Sequence, residues 1–185
     1  MSHIKLILLD FDGTLADTRR ANGEAYIQAL SEVGITLSLE QYTAKYFGMR
    51  CREFLRDVGI ESDDDAQRLR QRKVEIYPNY FDSVTLNAPL WEWCKMMRSM
   101  GSQVWIVSTG HIDNIRNVMR HLKLSEGIDG IISGDDVTQP KHPECFLRAM
   151  EIVGATPRQT IIFEDSAMGL QAAKASGAAY VKVTL

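Results

Sequence analysis

Residues 4–9 read Ile-Lys-Leu-Ile-Leu-Leu, a nearly continuous apolar run that stops at Asp10. Apolar residues at successive positions, without alternation, describe a strand covered on both faces, as in a parallel sheet flanked by helices. From Pro89 onward the same kind of run recurs between stretches of helical spacing. Leu90, Trp93, Cys94 and Met97 mark a helix ending near Gly101, and the run Val104–Ser108 follows. Ile112, Ile115, Met119 and Leu122 mark the next helix, before the strand of residues 127–133. Phe146, Leu147, Met150 and Val153 mark a third, closed by Gly154, before "TIIFED" at 160–165. A helix through Leu170 and Ala173 ends at Gly177, and residues 178–185 give a last strand. Strands alternating with helices imply βαβ units around a parallel sheet.

The interval after the first strand differs. Ala25, Ala29, Leu30 and Val33 repeat at helical spacing, with Gly34 as a stop. Further helical stretches span 39–47, 52–58 and 66–77, with the charge run Asp63–Asp65 read as a solvated helix start. No buried strand is expected there. The sequence therefore predicts an α/β protein: a Rossmann-like parallel sheet core, residues 1–16 and 87–185, with an inserted α-helical cap over 17–86. A length of 185 residues suits one core with a modest insertion. With a net charge of −3, nothing suggests a general nucleic-acid or membrane surface. No apolar stretch approaches the ~20 residues of a membrane span. The short apolar start ends in carboxylates with no small-residue cleavage site, and reads as a strand rather than a signal peptide. Cys51, Cys94 and Cys145 lack metal or redox spacing and are expected to be reduced thiols of a cytoplasmic protein.

Ligands of such sheets bind beyond the carboxyl ends of the strands. Four polar groups fall there: Asp10 with Asp12, Ser108 with Thr109, Lys141, and Glu164 with Asp165. Taken singly, each has an ordinary structural explanation as a turn residue, a cap or a solvated lysine. Together, in this order, they suit phosphoryl transfer. Clustered carboxylates need a compensating cation, and Asp10, Asp12, Glu164 and Asp165 offer the hard oxygens that Mg²⁺ takes. Ser108 and the amides of Thr109 and Gly110 are placed to hold phosphate oxygens at a helix N-terminus. Lys141 would neutralise developing charge, and an aspartate can serve as the nucleophile.

These residues also carry a family resemblance. "DFDGTLADT" resembles the first signature of the haloacid dehalogenase superfamily of phosphohydrolases, and "VWIVSTG" its second. "PKHPECF" resembles its lysine motif, and "IIFEDSAMGLQAAKASGA" its acidic fourth. The helical insertion sits where the phosphoglycolate phosphatase-like and β-phosphoglucomutase-like subgroup carries its cap. The resemblance implies that Asp10 is the nucleophile. It makes Asp12 the general acid and later base, with its carbonyl on Mg²⁺. It gives Asp165 to the metal with Glu164 as a direct or outer partner, Ser108 to the phosphoryl group, and Thr14 to support of the nucleophile. In the cap, Gly48 falls where relatives have a glycine facing the site, and Arg50 is a candidate for touching an anionic substrate.

Two features depart from the family pattern. The lysine is shifted by one relative to Pro143, and Asn22 stands where β-phosphoglucomutase-like sequences have a histidine. The expectation is a Mg²⁺-dependent phosphatase for a small organic phosphomonoester, a monomer or weak dimer without nucleic-acid or membrane partners. The alternatives are a sugar-phosphate mutase using the same aspartyl-phosphate and, from another class, an inactive binding protein. A signalling receiver also clusters Asp, Ser/Thr and Lys on a parallel sheet, but its phosphorylated aspartate lies on a later strand.

Overall fold

The structure, a computed structural model, describes residues 3–124, 126–134, 136 and 142–185. The chain divides into two compact units: residues 1–17 with 85–185, and residues 18–84.

The first unit is built on a five-stranded sheet. Its strands are β1 (Leu6–Leu9), β4 (Gln103–Val107), β5 (Gly130–Ile132), β6 (Thr160–Glu164) and β7 (Ala179–Lys182), in the order β5-β4-β1-β6-β7. Every pairing in it is parallel. A two-residue antiparallel ribbon, β2 (Ala16–Asp17) with β3 (Thr85–Leu86), lies where the chain leaves this unit and returns. Leu6, Ile7, Leu8 and Leu9 are all fully buried, as the unbroken apolar run requires of a central strand. Around the sheet run α5 (Ala88–Ser99), α6 (Ile112–His121), α7 (Pro143–Val153) and α8 (Ala167–Ala175). Phe146, Ala149 and Met150 of α7 and Ala172 and Ala173 of α8 share one apolar cluster with Leu6, Leu8 and Ile162. Helix α7 opens with Pro143 and closes on Gly154 at φ 64°, in the left-handed conformation that favours glycine.

The second unit is helical: α1 (Arg19–Ser31), α2 (Leu39–Gln41), α3 (Cys51–Asp57) and α4 (Asp63–Ile76). Ser62 caps α4 by accepting from the Asp65 amide, and three aspartates in the first turn complement the helix dipole. The expected helix over 39–47 is broken: after α2 the chain widens into a π-turn at Tyr42–Tyr46. That winding accompanies an aromatic cluster, with Tyr42 and Tyr46 both packed on Phe54 at centroid distances of 5.7 and 4.8 Å. Val33 does not join the buried face of α1. The helix ends at Ser31, the chain turns at Gly34, and Val33 is 58% exposed. Lys73 is buried within this unit, its Nζ donating to Asn22 Oδ1 at 2.7 Å and lying 3.4 Å from the Tyr77 ring centre. The three cysteines are free thiols. No helix among the described residues is long and apolar enough to cross a membrane.

Candidate active site

Register sets the site. Leu9 pairs with Ile106 on one side and Phe163 on the other, so β1, β4 and β6 end at one level. Asp10 adds one more rung, its amide donating to the Phe163 carbonyl at 3.0 Å, and its side chain is 97% buried by its place beyond a central strand. Ser108 likewise extends β4 through a 3.0 Å bond to the Ile132 carbonyl.

Residues 10–16 close on themselves. The Leu15 amide points at the carbonyls of Phe11 (3.2 Å) and Asp10 (3.3 Å), and the Ala16 amide bonds Phe11 at 3.0 Å. Gly13 turns the loop at φ 95°, a conformation other residues rarely adopt, and its amide reaches the Ala16 carbonyl at 2.8 Å. Thr14 is fully buried and, among the described residues, its Oγ1 has no hydrogen-bond partner. Asn87, the N-cap of α5, holds this loop from outside. Its Nδ2 donates to the Thr14 carbonyl at 3.1 Å and its amide to the Leu15 carbonyl at 2.8 Å.

Asp10, Glu164 and Asp165 each bring a carboxylate oxygen within 4.8 Å of the other two. Oxygens this close, on three acidic groups, form a hard donor set that a divalent cation of the Mg²⁺ type fits, since ion binding relieves their mutual repulsion. On the adjoining β4 side, Asp12 Oδ2 and Ser108 Oγ both lie close to Gly110. A Cβ on Gly110 would lie 3.3 Å from each, so the bare backbone there leaves room for both groups. Ser108 Oγ accepts from the Gly110 amide at 3.0 Å, and Thr109 and Gly110 are half-buried. Gly134 packs behind them so closely that a Cβ would stand 2.3 Å from the Thr109 carbonyl oxygen. His111 starts α6 as its N-cap, accepting the Asp113 amide on Nδ1.

One level further out, Asp136 Oδ2 receives both the amide and the hydroxyl of buried Ser133, at 2.8 and 2.7 Å. Those Ser133 hydrogen bonds, helped by Arg148 and Arg116, hold the Asp136 carboxyl below its usual range. Lys141 lies outside the described residues. Gly48 and Arg50 belong to the helical unit, Gly48 in a turn at φ 80° and Arg50 as the exposed N-cap of α3. Asp10, Asp12, Thr14, Ser108, Thr109, Gly110, Glu164 and Asp165 therefore all fall in the first unit, at the ends of β1, β4 and β6. Sequence reasoning missed Asn87, Ser133 and Gly134. Only Asn87 left a signal, a polar cap residue two places before Pro89.

Residues 7–183 match the family model described as haloacid dehalogenase-like hydrolase. The chain is 27% identical over 182 residues to the fructose-1-phosphate phosphatase YqaB of Escherichia coli, covering 97% of this chain and 96% of that protein. It is 26% identical over 180 residues to the phosphoglycolate phosphatase of Aquifex aeolicus, covering 94% and 82%. The crystal structure of β-phosphoglucomutase from Clostridium difficile superposes with a TM-score of 0.82 at 23% identity, covering 98% of this chain and 85% of that one, a likeness of fold. A match across nearly the whole chain, with the signature carboxylates gathered at the strand ends, makes this protein a member of the haloacid dehalogenase-like hydrolase family.

Proposed function

We propose that this hydrolase is a Mg²⁺-dependent phosphatase that cleaves a small organic phosphomonoester through an aspartyl-phosphate on Asp10. The observation that carries the reading is the convergence of Asp10, Glu164 and Asp165 oxygens within 4.8 Å, with Asp12 Oδ2 and Ser108 Oγ both beside Gly110. Phosphatases among the relatives support the reaction class.

When bound, Mg²⁺ would neutralise phosphate charge beside the nucleophile, held by Asp10, Asp165, Glu164 and the Asp12 carbonyl. Asp10 attacks phosphorus, forming the O–P bond of the acyl phosphate as the ester oxygen leaves. Asp12 gives its proton to that leaving oxygen. It then takes one from the water that attacks phosphorus, so that Asp10 is released with inorganic phosphate. The Ser108 hydroxyl and the amides of Thr109 and Gly110 hold the non-bridging oxygens. Lys141 supplies positive charge to the transferring group, and Thr14 supports the loop. Gly48 and Arg50 of the helical unit are assigned to substrate choice. Three free thiols agree with a cytoplasmic setting.

The test is phosphate release from a panel of phosphate esters, with Mg²⁺ and with EDTA, for the parent and Asp10→Asn. Release that needs the metal and disappears in the variant supports the reading. Normal turnover by Asp10→Asn would refute it. No release from any ester by the parent would favour phosphoryl transfer between positions of a sugar, tested by isomerisation with added bisphosphate.

A further inference from the structure

Glu164 is 2% exposed and its carboxylate is folded back against the first turn of α8. Two residues of that turn grip it. The amide and the hydroxyl of Ser166 both donate to Glu164 Oε1, at 2.9 and 2.8 Å. The same hydroxyl oxygen accepts from the Gly169 amide at 3.1 Å, which caps α8 and fixes the direction in which the Ser166 proton points. The carboxylate then fills a notch at Gly169. A Cβ there would stand 2.1 Å from both Cδ and Oε2 of Glu164 and 2.6 Å from its Cγ.

Gly169 lies within helix α8, and its φ is not positive. Its conformation therefore does not require glycine, and inside a helix glycine is less favourable than alanine. What glycine supplies at this position is space. A buried carboxylate with its rotamer fixed by two donors and a fitted cavity is a pre-positioned ligand, and outer-shell groups of this kind orient a metal-binding side chain.

We infer that Ser166 and Gly169 are positioning residues that lock Glu164 into its metal-binding rotamer. The inference rests on the reading of Asp10, Glu164 and Asp165 as the cation site. It accounts for the spacing Glu-Asp-Ser-x-x-Gly, in which the helix that follows the ligands also builds their mould.

The experiment measures Mn²⁺ affinity by electron paramagnetic resonance, titrated into the millimolar range, for the parent, Gly169→Ala, Glu164→Ala and the double variant. Circular dichroism checks the fold of each. Gly169→Ala is expected to weaken Mn²⁺ binding by about 10- to 100-fold. The double variant is expected to bind within about twofold of Glu164→Ala alone, because the added methyl then has no carboxylate to displace. A helix-only role would move thermal stability and leave Mn²⁺ affinity unchanged. Parent-like affinity in folded Gly169→Ala would overturn the inference, as would an equal loss in both backgrounds. A parent that binds no Mn²⁺, or a Glu164→Ala variant that binds it as tightly as the parent, would instead overturn the cation-site reading and this inference with it.

Discussion

Asn87 Nδ2 donates to the Thr14 carbonyl at 3.1 Å, joining two residues 73 positions apart in the chain. The same side chain accepts the Leu90 amide through Oδ1, so one residue caps α5 and fixes the loop that carries Asp12. These two tasks are separable by mutation. Asn87→Ala removes both and is expected to cost about 1–2 kcal/mol of stability. Asn87→Asp keeps the cap acceptor but loses the donor to Thr14. It sets a carboxylate oxygen against the Thr14 carbonyl, so it should unfold at lower urea than the parent and, while still folded, lose turnover, since misplacing catalytic groups by about 1 Å can cost ~100-fold in rate. Parent-like turnover in Asn87→Asp would show that the tether does not govern the loop.

Gly134 faces the Thr109 carbonyl across a gap that no side chain fits. Its amide also bonds the Gly110 carbonyl at 3.0 Å. Gly134→Ala must push apart two backbone segments, with an expected cost of about 1–3 kcal/mol. Because the segment displaced carries Thr109 and Gly110, KM for phosphate esters should rise as well. Thermal unfolding and steady-state kinetics check both, and a fully parent-like variant would mean that the contact relaxes freely.

Asp12 is assigned two proton transfers, and they can be told apart by the leaving group. With a sugar phosphate, Asp12→Ala should lower kcat by about 10²–10⁴. With nitrophenyl phosphate, whose leaving group departs without protonation, only hydrolysis of the acyl phosphate needs Asp12. That substrate should therefore make the phosphorylated enzyme accumulate in the variant. Rapid-quench measurement that finds no trapped phosphoenzyme would remove Asp12 from the second step.

The Arg98–Asp129 pair predicts an acid dependence. Asp129 accepts from Arg98 Nε and Nη2 and, through Oδ2, from the Val104 amide at 2.9 Å. The Arg98 hydrogen bond above all, then the Val104 amide, holds its carboxyl below the ordinary value. A depressed carboxyl contributes stability that is full above its unfolded pKa, about 3.9, and fades as pH falls through the lower folded value. Asp129→Asn should thus lower Tm at pH 7, and the deficit should shrink below about pH 4. A deficit that stays constant down to pH 2 would assign the loss to packing or to the amide bond instead.

The parts of the molecule legible in the sequence are those decided locally. Unbroken apolar runs such as Leu6–Leu9 announce a central parallel strand, and the carboxylates ending "ILLD" and "IIFED" must then sit on one rim of the sheet. Most of the misses have non-local causes. Nothing near Val33 reveals that α1 stops two residues earlier, and no period foretells the π-turn at Tyr42–Tyr46, which accompanies packing on Phe54. Gly134 was invisible for the same reason: its meaning lies in the approach of the Thr109 carbonyl, and a carbonyl carries no sequence signature. Ser133 is a local miss, since it bonds Asp136 three residues on.

The central place of β1 between β4 and β6 sets a timetable for synthesis. Asp10 is made before Glu164 and Asp165, which come about 155 residues later, a delay of about 8–30 s at ~5–20 residues per second. Until then, the strand that aims Asp10 lacks the neighbour that receives its amide bond. Residues 18–84 form one contiguous unit and can fold on the ribosome during that interval. A chain released before residue 164 would carry Asp10 without Glu164 and Asp165, so under the proposed mechanism it would hold the nucleophile and lack its cation site.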